Sequence, residues 1–130
     1  MAKQKPLKGL GDLELIIKKD PRYHLEAYLF VLKALDHTRK MLQKKWHVTG
    51  HELLHGIREL ALRNYGLMSK TVLAHWGVTN TRDLGNIVFN MVNAKILTKT
   101  EEDDIQDFDN VFDFDEAFVS SYTFHIDQHK

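Results

Sequence analysis

Two histidines and a glutamate in this 130-residue chain have the spacing of a zinc-protease motif. His51 and His55 stand four residues apart, and on a helix they could share one metal ion whose bound water Glu52 polarises. A catalytic zinc needs a third protein ligand, but residues 56–59 (GIRE) supply no histidine. The helical wheel turns both imidazoles away from the apolar face, so a solvated polar face is expected. A zinc hydrolase is therefore the least favoured function, with His47, His51 and His55 as its metal candidates.

A second candidate, residues 69–99, has the order of elements found in winged-helix regulators. A short helix, a turn at Gly77-Val78 and a longer helix would lead into a strand at residues 96–98, the start of a wing. Asparagine can read adenine, but phosphate contacts need lysine or arginine and supply most of the affinity. The longer helix has one such cation and an acidic segment follows it, so a packed helical hairpin is favoured. In the nucleic-acid alternative, the contacts would come from Arg82, Asn86, Asn90 and Asn93.

A third candidate is an acidic segment interleaved with phenylalanine. Residues 101–116 hold nine acidic side chains, and five of the seven phenylalanines lie at or after position 108. The glycine and the final glutamate of a calcium-binding EF-hand loop are absent. Phenylalanines in such a segment usually pack on the domain, which predicts a strap folded over the body. If the core does not need them, the segment would instead dock in a partner's basic groove; the candidate contacts are Phe108, Phe112, Phe114 and Phe118.

Charge is divided along a chain whose net charge is zero. Residues 1–100 carry seventeen Lys and Arg against eight acidic residues, whereas residues 101–130 carry one against ten, so the two parts hold about +9 and −9. An acidic strap that covers a basic body explains this division and is the favoured interpretation. The alternative is that one of the two charged surfaces faces a partner.

Composition excludes several classes of protein. The chain has no cysteine, which excludes a disulfide scaffold, a cysteine-ligated zinc finger, an iron–sulfur cluster and a thiol nucleophile. The longest apolar run, residues 27–32, is too short to span a bilayer. Residues 1–11 are basic and lead into no apolar block, so no secretory signal is predicted. We expect a cytoplasmic protein without a cofactor and without membrane contact.

Apolar spacing predicts a mainly helical domain. Helices are expected at 12–19, from Pro21 to about residue 44 with Asp20 as its cap, from a Thr49–Glu52 capping box to about residue 65, at 69–76, and from about 81 to 92. Short strands are expected at 96–98 and 112–114, where they could pair as a small winged-helix-like hairpin, and a last helical turn at 115–119.

Several stretches together resemble a family of small bacterial proteins known mainly from Planctomycetes and Verrucomicrobia, whose function is unknown. The matching stretches are residues 22–35 (RYHLEAYLFVLKAL), 47–61 (HVTGHELLHGIRELA), 72–92 (VLAHWGVTNTRDLGNIVFNMV), 99–108 (KTEEDDIQDF) and 112–118 (FDFDEAF). The resemblance covers most of residues 22–118. It implies no activity, substrate or catalytic residue for this chain.

These patterns predict one domain, a compact helical bundle followed by the strap. Its parts are a basic N-terminal arm (1–11), a helical body (12–100), the acidic strap (101–119) and a C-terminal tail (120–130). The favoured function is a binding or interaction module without catalysis of its own, whose partner is a protein. The alternatives are a winged-helix-like nucleic-acid-binding regulator and, below it, the zinc hydrolase.

Overall fold

Five α-helices and one pair of very short strands make up the secondary structure of a computed structural model that describes residues 1–3, 11–44 and 47–120. The helices are α1 (Gly11–Lys19), α2 (Leu25–Met41), α3 (Gly50–Tyr65), α4 (Ser69–His75) and α5 (Thr81–Asn93), and the strands are β1 (Ala2–Lys3) and β2 (Leu97–Thr98). Single turns of other helix types lie at Gly66–Met68, Ile105–Phe108 and Glu116–Ser120. The prediction of a mainly helical, compact single domain is confirmed.

Helix α2 lies at the centre of the core and packs against α1, α3 and α5. Its buried residues recur at helical spacing, as the sequence predicts, and include Ala27, Tyr28, Val31 and Leu35. The predicted start of α2 at Pro21 was wrong. Helix α2 begins at Leu25, and the residue before it, His24, makes no side-chain capping bond.

The start of α2 is displaced because Asp20 is engaged elsewhere. The Asp20 carboxylate accepts hydrogen bonds from the side chains of Arg22 and Asn90, at 2.7–2.9 Å. A charge-assisted bidentate pair of this kind is stronger than a capping bond to a backbone N–H. Asp20 therefore closes the loop between α1 and α2 and does not cap α2.

The capping box at the start of α3 is confirmed. The Glu52 N–H donates to Thr49 Oγ1 at 3.1 Å, and the Thr49 N–H donates to Glu52 Oε1 at 2.8 Å. Further along, α3 approaches α2 so closely that a Cβ on Gly56 would lie 1.8 Å from Thr38 Oγ1. Helix α3 ends at Gly66, which has the positive φ expected of a terminating glycine (53°).

Helices α4 and α5 have the predicted bounds to within a residue or two. Gly77 follows α4 with a φ of 93°, and a Cβ there would lie 2.1 Å from the Arg22 carbonyl oxygen, so the turn depends on glycine. Asn80 caps α5 by accepting a hydrogen bond from the Asp83 N–H at 2.9 Å. The buried face of α5 holds Leu84, Ile87, Val88 and Met91.

The predicted β-hairpin was wrong. Strand β2 pairs with the start of the chain, Ala2 opposite Thr98 and Lys3 opposite Leu97, in an antiparallel ladder. Residues 112–114 form no strand, because Asp113 opens the last helical turn: its side chain accepts from the Glu116 N–H at 3.1 Å and its carbonyl from the Ala117 N–H at 2.8 Å. A winged-helix wing is therefore not formed by these residues.

An N-terminal arm was predicted for residues 1–11. Its first three residues pack on the domain. Met1 is 2% exposed, and its ammonium group lies 3.0 Å from the Asp103 carboxylate of the strap and donates to the Val48 carbonyl at 2.9 Å. Residues 4–10, and the predicted tail from residue 121 onwards, lie outside the described residues.

The strap (residues 101–119) is docked on the helical body through Phe108. A Cβ on Gly85 of α5 would lie 2.7 Å from Phe108 Cβ, and one on Gly50 of α3 would lie 3.0 Å from its ring. Two glycines on different helices thus form the seat of this ring. The Thr81 hydroxyl donates to the Phe108 carbonyl at 2.6 Å and accepts from the Val111 N–H at 3.2 Å, which holds the strap on both sides of the ring.

Opposite charges also join the strap to the body. Asp109 lies 2.7 Å from the Arg82 guanidinium, and Asp115 pairs with Lys70. Both pairs are exposed, so the apolar anchors contribute the larger part of the docking energy. Among the described residues, no helix is long and apolar enough to cross a bilayer.

Candidate functional site

The zinc motif on α3 is turned outward, as the helical wheel predicts. His47, His51 and His55 are exposed. Glu52 is held by Lys44, whose ammonium group lowers the carboxyl pKa by hydrogen bonding at 2.8–2.9 Å, and by the capping box. Nowhere in the described ranges do three or more His, Cys, Asp or Glu side chains come close enough together to hold a metal. His51, Glu52 and His55 therefore lie on the surface of α3, and His47 lies in the exposed segment before it.

The residues proposed to contact nucleic acid are mostly engaged within the protein. Arg82 pairs with Asp109 at 2.7 Å, Asn86 donates to the Tyr23 hydroxyl at 2.9 Å, and Asn90 donates to Asp20. Asn93 is exposed. Because these side chains are held by strap or body residues, the structure gives α5 no row of free groups for a DNA groove.

The phenylalanines of the strap also pack within the protein. Phe108 and Phe118 are fully buried and Phe114 is 5% exposed. Phe112 is half-buried, with its ring 6.0 Å from that of Phe114 and 6.1 Å from that of Phe118. The core uses these rings, so the strap is docked on the body. A role of these phenylalanines in binding a partner stays a prediction.

Two of the three asparagines of α5, Asn90 and Asn93, line a groove between α1 and α5 of about 400 Å³, whereas Asn86 lies outside it. Its apolar lining consists of Leu15, Ile16 and Ala94, and Leu15 is 61% exposed, a large exposed fraction for a leucine. Its polar lining is contributed by Asp12, Lys19, Asp20, Asn90 and Asn93. The groove thus combines an apolar floor with carboxylates and carboxamides on its walls.

The Asp20 side chain, which lines the groove, is held by two neighbours. The Arg22 guanidinium, which bonds to both carboxylate oxygens, and the Asn90 amide hold the pKa of Asp20 far below its ordinary value against the effect of partial burial. Asn90 also donates to the Tyr28 hydroxyl at 3.1 Å, so both of its N–H groups are used. The Asn90 side-chain oxygen, Oδ1, has no hydrogen-bond partner among the described residues.

A second tyrosine, Tyr23, forms a separate set of hydrogen bonds with α5. Tyr23 is 1% exposed, and its hydroxyl donates to Asp83 at 2.6 Å and accepts from Asn86 at 2.9 Å. Burial raises the pKa of Tyr23 to about 12, and burial likewise raises the pKa of Tyr28. These hydroxyls keep their protons at neutral pH and Asp20 keeps its charge, so the network suits fixed hydrogen bonding better than proton transfer.

Sequence reasoning found one wall of this site and missed the other. The spacing of Asn86, Asn90 and Asn93 predicts a single helix face, which was assigned to DNA; Asn90 and Asn93 of that face line the groove. Nothing local to Leu15 or Asp20 indicates that α1 packs beside that face, because the contact joins residues about seventy positions apart, as Asp20 and Asn90 do.

No protein-family model, curated protein or solved structure matches this chain. The family resemblance of residues 22–118 therefore stays a prediction.

Proposed function

We propose that this protein is a non-catalytic binding module that holds a short, extended segment of a partner protein in the groove between α1 and α5. The observation that carries the proposal is an apolar floor of Leu15, Ile16 and Ala94, in which Leu15 is 61% exposed, beside the exposed Asn93 on the facing helix, whose carboxamide forms no hydrogen bond among the described residues. A volume of about 400 Å³ is within the range of ligand sites in proteins.

The carboxamides match the main chain of an extended peptide. A free asparagine side chain offers one acceptor and two donor hydrogens, which is the complement of a peptide C=O and N–H. The side chain of Asn93 forms no hydrogen bond in the described part of the chain, and the side chain of Asn90 has only its Oδ1 acceptor free. Main-chain hydrogen bonds of this kind supply affinity, while pockets for alternate side chains supply specificity.

The floor and the charges suggest which side chains the peptide carries. Leu15 would cover an apolar side chain, since its own exposed surface would leave water on binding. Asp12 forms no ion pair among the described residues, whereas Asp20 is already neutralised by Arg22. A basic residue one or two positions from the apolar residue would therefore pair with Asp12.

The test is selection of short random peptides against the full chain, followed by calorimetric titration of the selected peptides. We expect an apolar residue beside a Lys or Arg, and at least tenfold weaker binding in Asn93→Ala and in Leu15→Ala. Leu67→Ala is the matched control, because Leu67 is also an exposed leucine (49%) and does not line the groove.

Three results would overturn the proposal. They are failure to select any peptide, peptides that bind Leu15→Ala as tightly as the unchanged protein, and salt-dependent binding of duplex DNA that exceeds binding of every peptide. The last result would restore the nucleic-acid interpretation of α5.

A further inference from the structure

Two histidines from distant parts of the sequence meet on the surface of the domain. His24 is the residue before α2, and His75 is the last residue of α4. Their ring centroids lie 5.3 Å apart, and the ring planes are inclined at 63°. Both side chains are exposed, and neither forms a hydrogen bond or ion pair among the described residues. The ring nitrogens of this pair are therefore accessible to a ligand from solvent.

Backbone contacts hold the two histidines beside each other. The His24 N–H donates to the Trp76 carbonyl at 3.0 Å, so the residue after His75 is joined directly to His24. The same two segments touch again at Gly77, where a Cβ would lie 2.1 Å from the Arg22 carbonyl oxygen. Since each histidine also adjoins a helix, the backbone fixes the distance between the two side-chain attachment points. A pair held in this way is preorganised for a shared ligand.

The separation of the two rings matches the geometry of a tetrahedral metal ion. Zinc binds a histidine nitrogen at about 2.0–2.1 Å, which places the ion about 3.2 Å from the centre of the imidazole ring. At the tetrahedral angle, two rings on one zinc ion then have centres about 5.2 Å apart. The observed distance between the centroids of His24 and His75 is 5.3 Å. The right angle of octahedral coordination would instead need about 4.5 Å.

We propose that His24 and His75 bind one zinc ion, which bridges the segment before α2 and the end of α4. Imidazole nitrogens suit zinc, whereas magnesium and calcium prefer oxygen ligands. No third His, Cys, Asp or Glu joins the pair within the described ranges, so water completes the tetrahedron and the ion is exchangeable. The site also gives a role to His24, which occupies a cap position that favours Ser, Thr, Asp or Asn yet makes no capping bond.

The experiment measures the melting temperature of the full chain, first freed of metal with a chelator and then titrated with zinc chloride at about pH 7.5. We expect a saturable rise of at least about 5 °C, because an ion that binds only the folded state stabilises it. Magnesium and calcium chloride should leave the melting temperature unchanged. At about pH 5.5 the rise produced by zinc should shrink, because the metal binds only neutral imidazole.

Variants locate the ion. His24→Asn and His75→Gln should each abolish most of the rise, and the double variant should lose no more than either single one, because both side chains bind the same ion. Asparagine is favoured at a helix cap, so His24→Asn should keep the stability of the metal-free protein. His51→Gln is the matched control, since His51 is an exposed histidine of the zinc motif on α3, and it should leave the rise unchanged.

Three results would overturn the proposal. They are the absence of any rise with zinc, a rise that either His24→Asn or His75→Gln retains in full, and a rise that His51→Gln abolishes. The last result would place the zinc ion on α3 instead. Neither His24 nor His75 lines the groove between α1 and α5, so the peptide proposal and the zinc proposal can fail independently.

Discussion

Replacing Phe108 by alanine should cost more stability than any other single change in the strap. The side chain is fully buried, and truncation of a buried phenylalanine costs about 3–5 kcal/mol. We expect the upper half of that range, because the void would be bordered by the helix backbones at Gly50 and Gly85, which offer no side chain to move into it. Such a loss is a large fraction of the about 5–15 kcal/mol that stabilises an ordinary domain.

The measurement is the free energy of unfolding in urea, with unfolding monitored by far-UV circular dichroism and by tryptophan fluorescence. Phe112→Ala is the control, since Phe112 lies on the same strap but is only half-buried, and it should cost less than half as much. Phe108→Leu should cost about 2 kcal/mol, because it removes fewer buried carbon atoms than Phe108→Ala does. If Phe108→Ala does not fold, Phe108→Leu can be compared with Phe112→Ala in its place. Equal unfolding midpoints for Phe108→Ala and Phe112→Ala would refute the glycine-seat argument.

Two further predictions follow from the same contacts and from the groove. Gly85→Ala should lower the free energy of unfolding by about 1–3 kcal/mol, because its Cβ would lie 2.7 Å from Phe108 Cβ. Gly11→Ala is the control and should cost nothing, because nothing lies within 4 Å of a Cβ at that position. Equal melting temperatures for the two variants would contradict this prediction. Because Arg22 lowers the pKa of Asp20 in the folded state, the ionised carboxylate should stabilise the protein at all pH values above its ordinary pKa of about 3.8 and lose that effect as the pH falls below it. Asp20→Asn should therefore melt lower at pH 7 and lose less on acidification to pH 2, and parallel curves of melting temperature against pH would show that the Arg22 pair contributes nothing.

Local signals predicted the helices well. The capping box of Thr49 and Glu52 spans three residues and is complete within its own turn, so the sequence alone locates the start of α3. Asp20 before Pro21 is an equally good local signal for a helix start, yet it failed. Arg22, two residues further on, takes both oxygens of the Asp20 carboxylate, and Asn90, which lies seventy residues away and is brought near only by tertiary packing, adds a further hydrogen bond.

The same distinction explains the strand and the site. Residues 96–98 were predicted as a strand and residues 97–98 form one, but the partner strand lies at the other end of the described chain, where two residues carry no recognisable pattern. The asparagine face of α5 is periodic and could be recognised, whereas Leu15 is one apolar residue on an amphipathic helix. Only the packing of α1 beside α5 makes that leucine part of a groove.

The seat of Phe108 also bears on the order of events in folding. Gly50 and Gly85, which form it, are thirty-five positions apart in the sequence, so the seat exists only after α3 and α5 have come together. Contacts that form after the rate-limiting step leave the folding rate nearly unchanged and act mainly on the rate of unfolding. Docking of the strap would then leave the rate of folding nearly unchanged and lower the rate of unfolding, so that the folded domain has a longer lifetime.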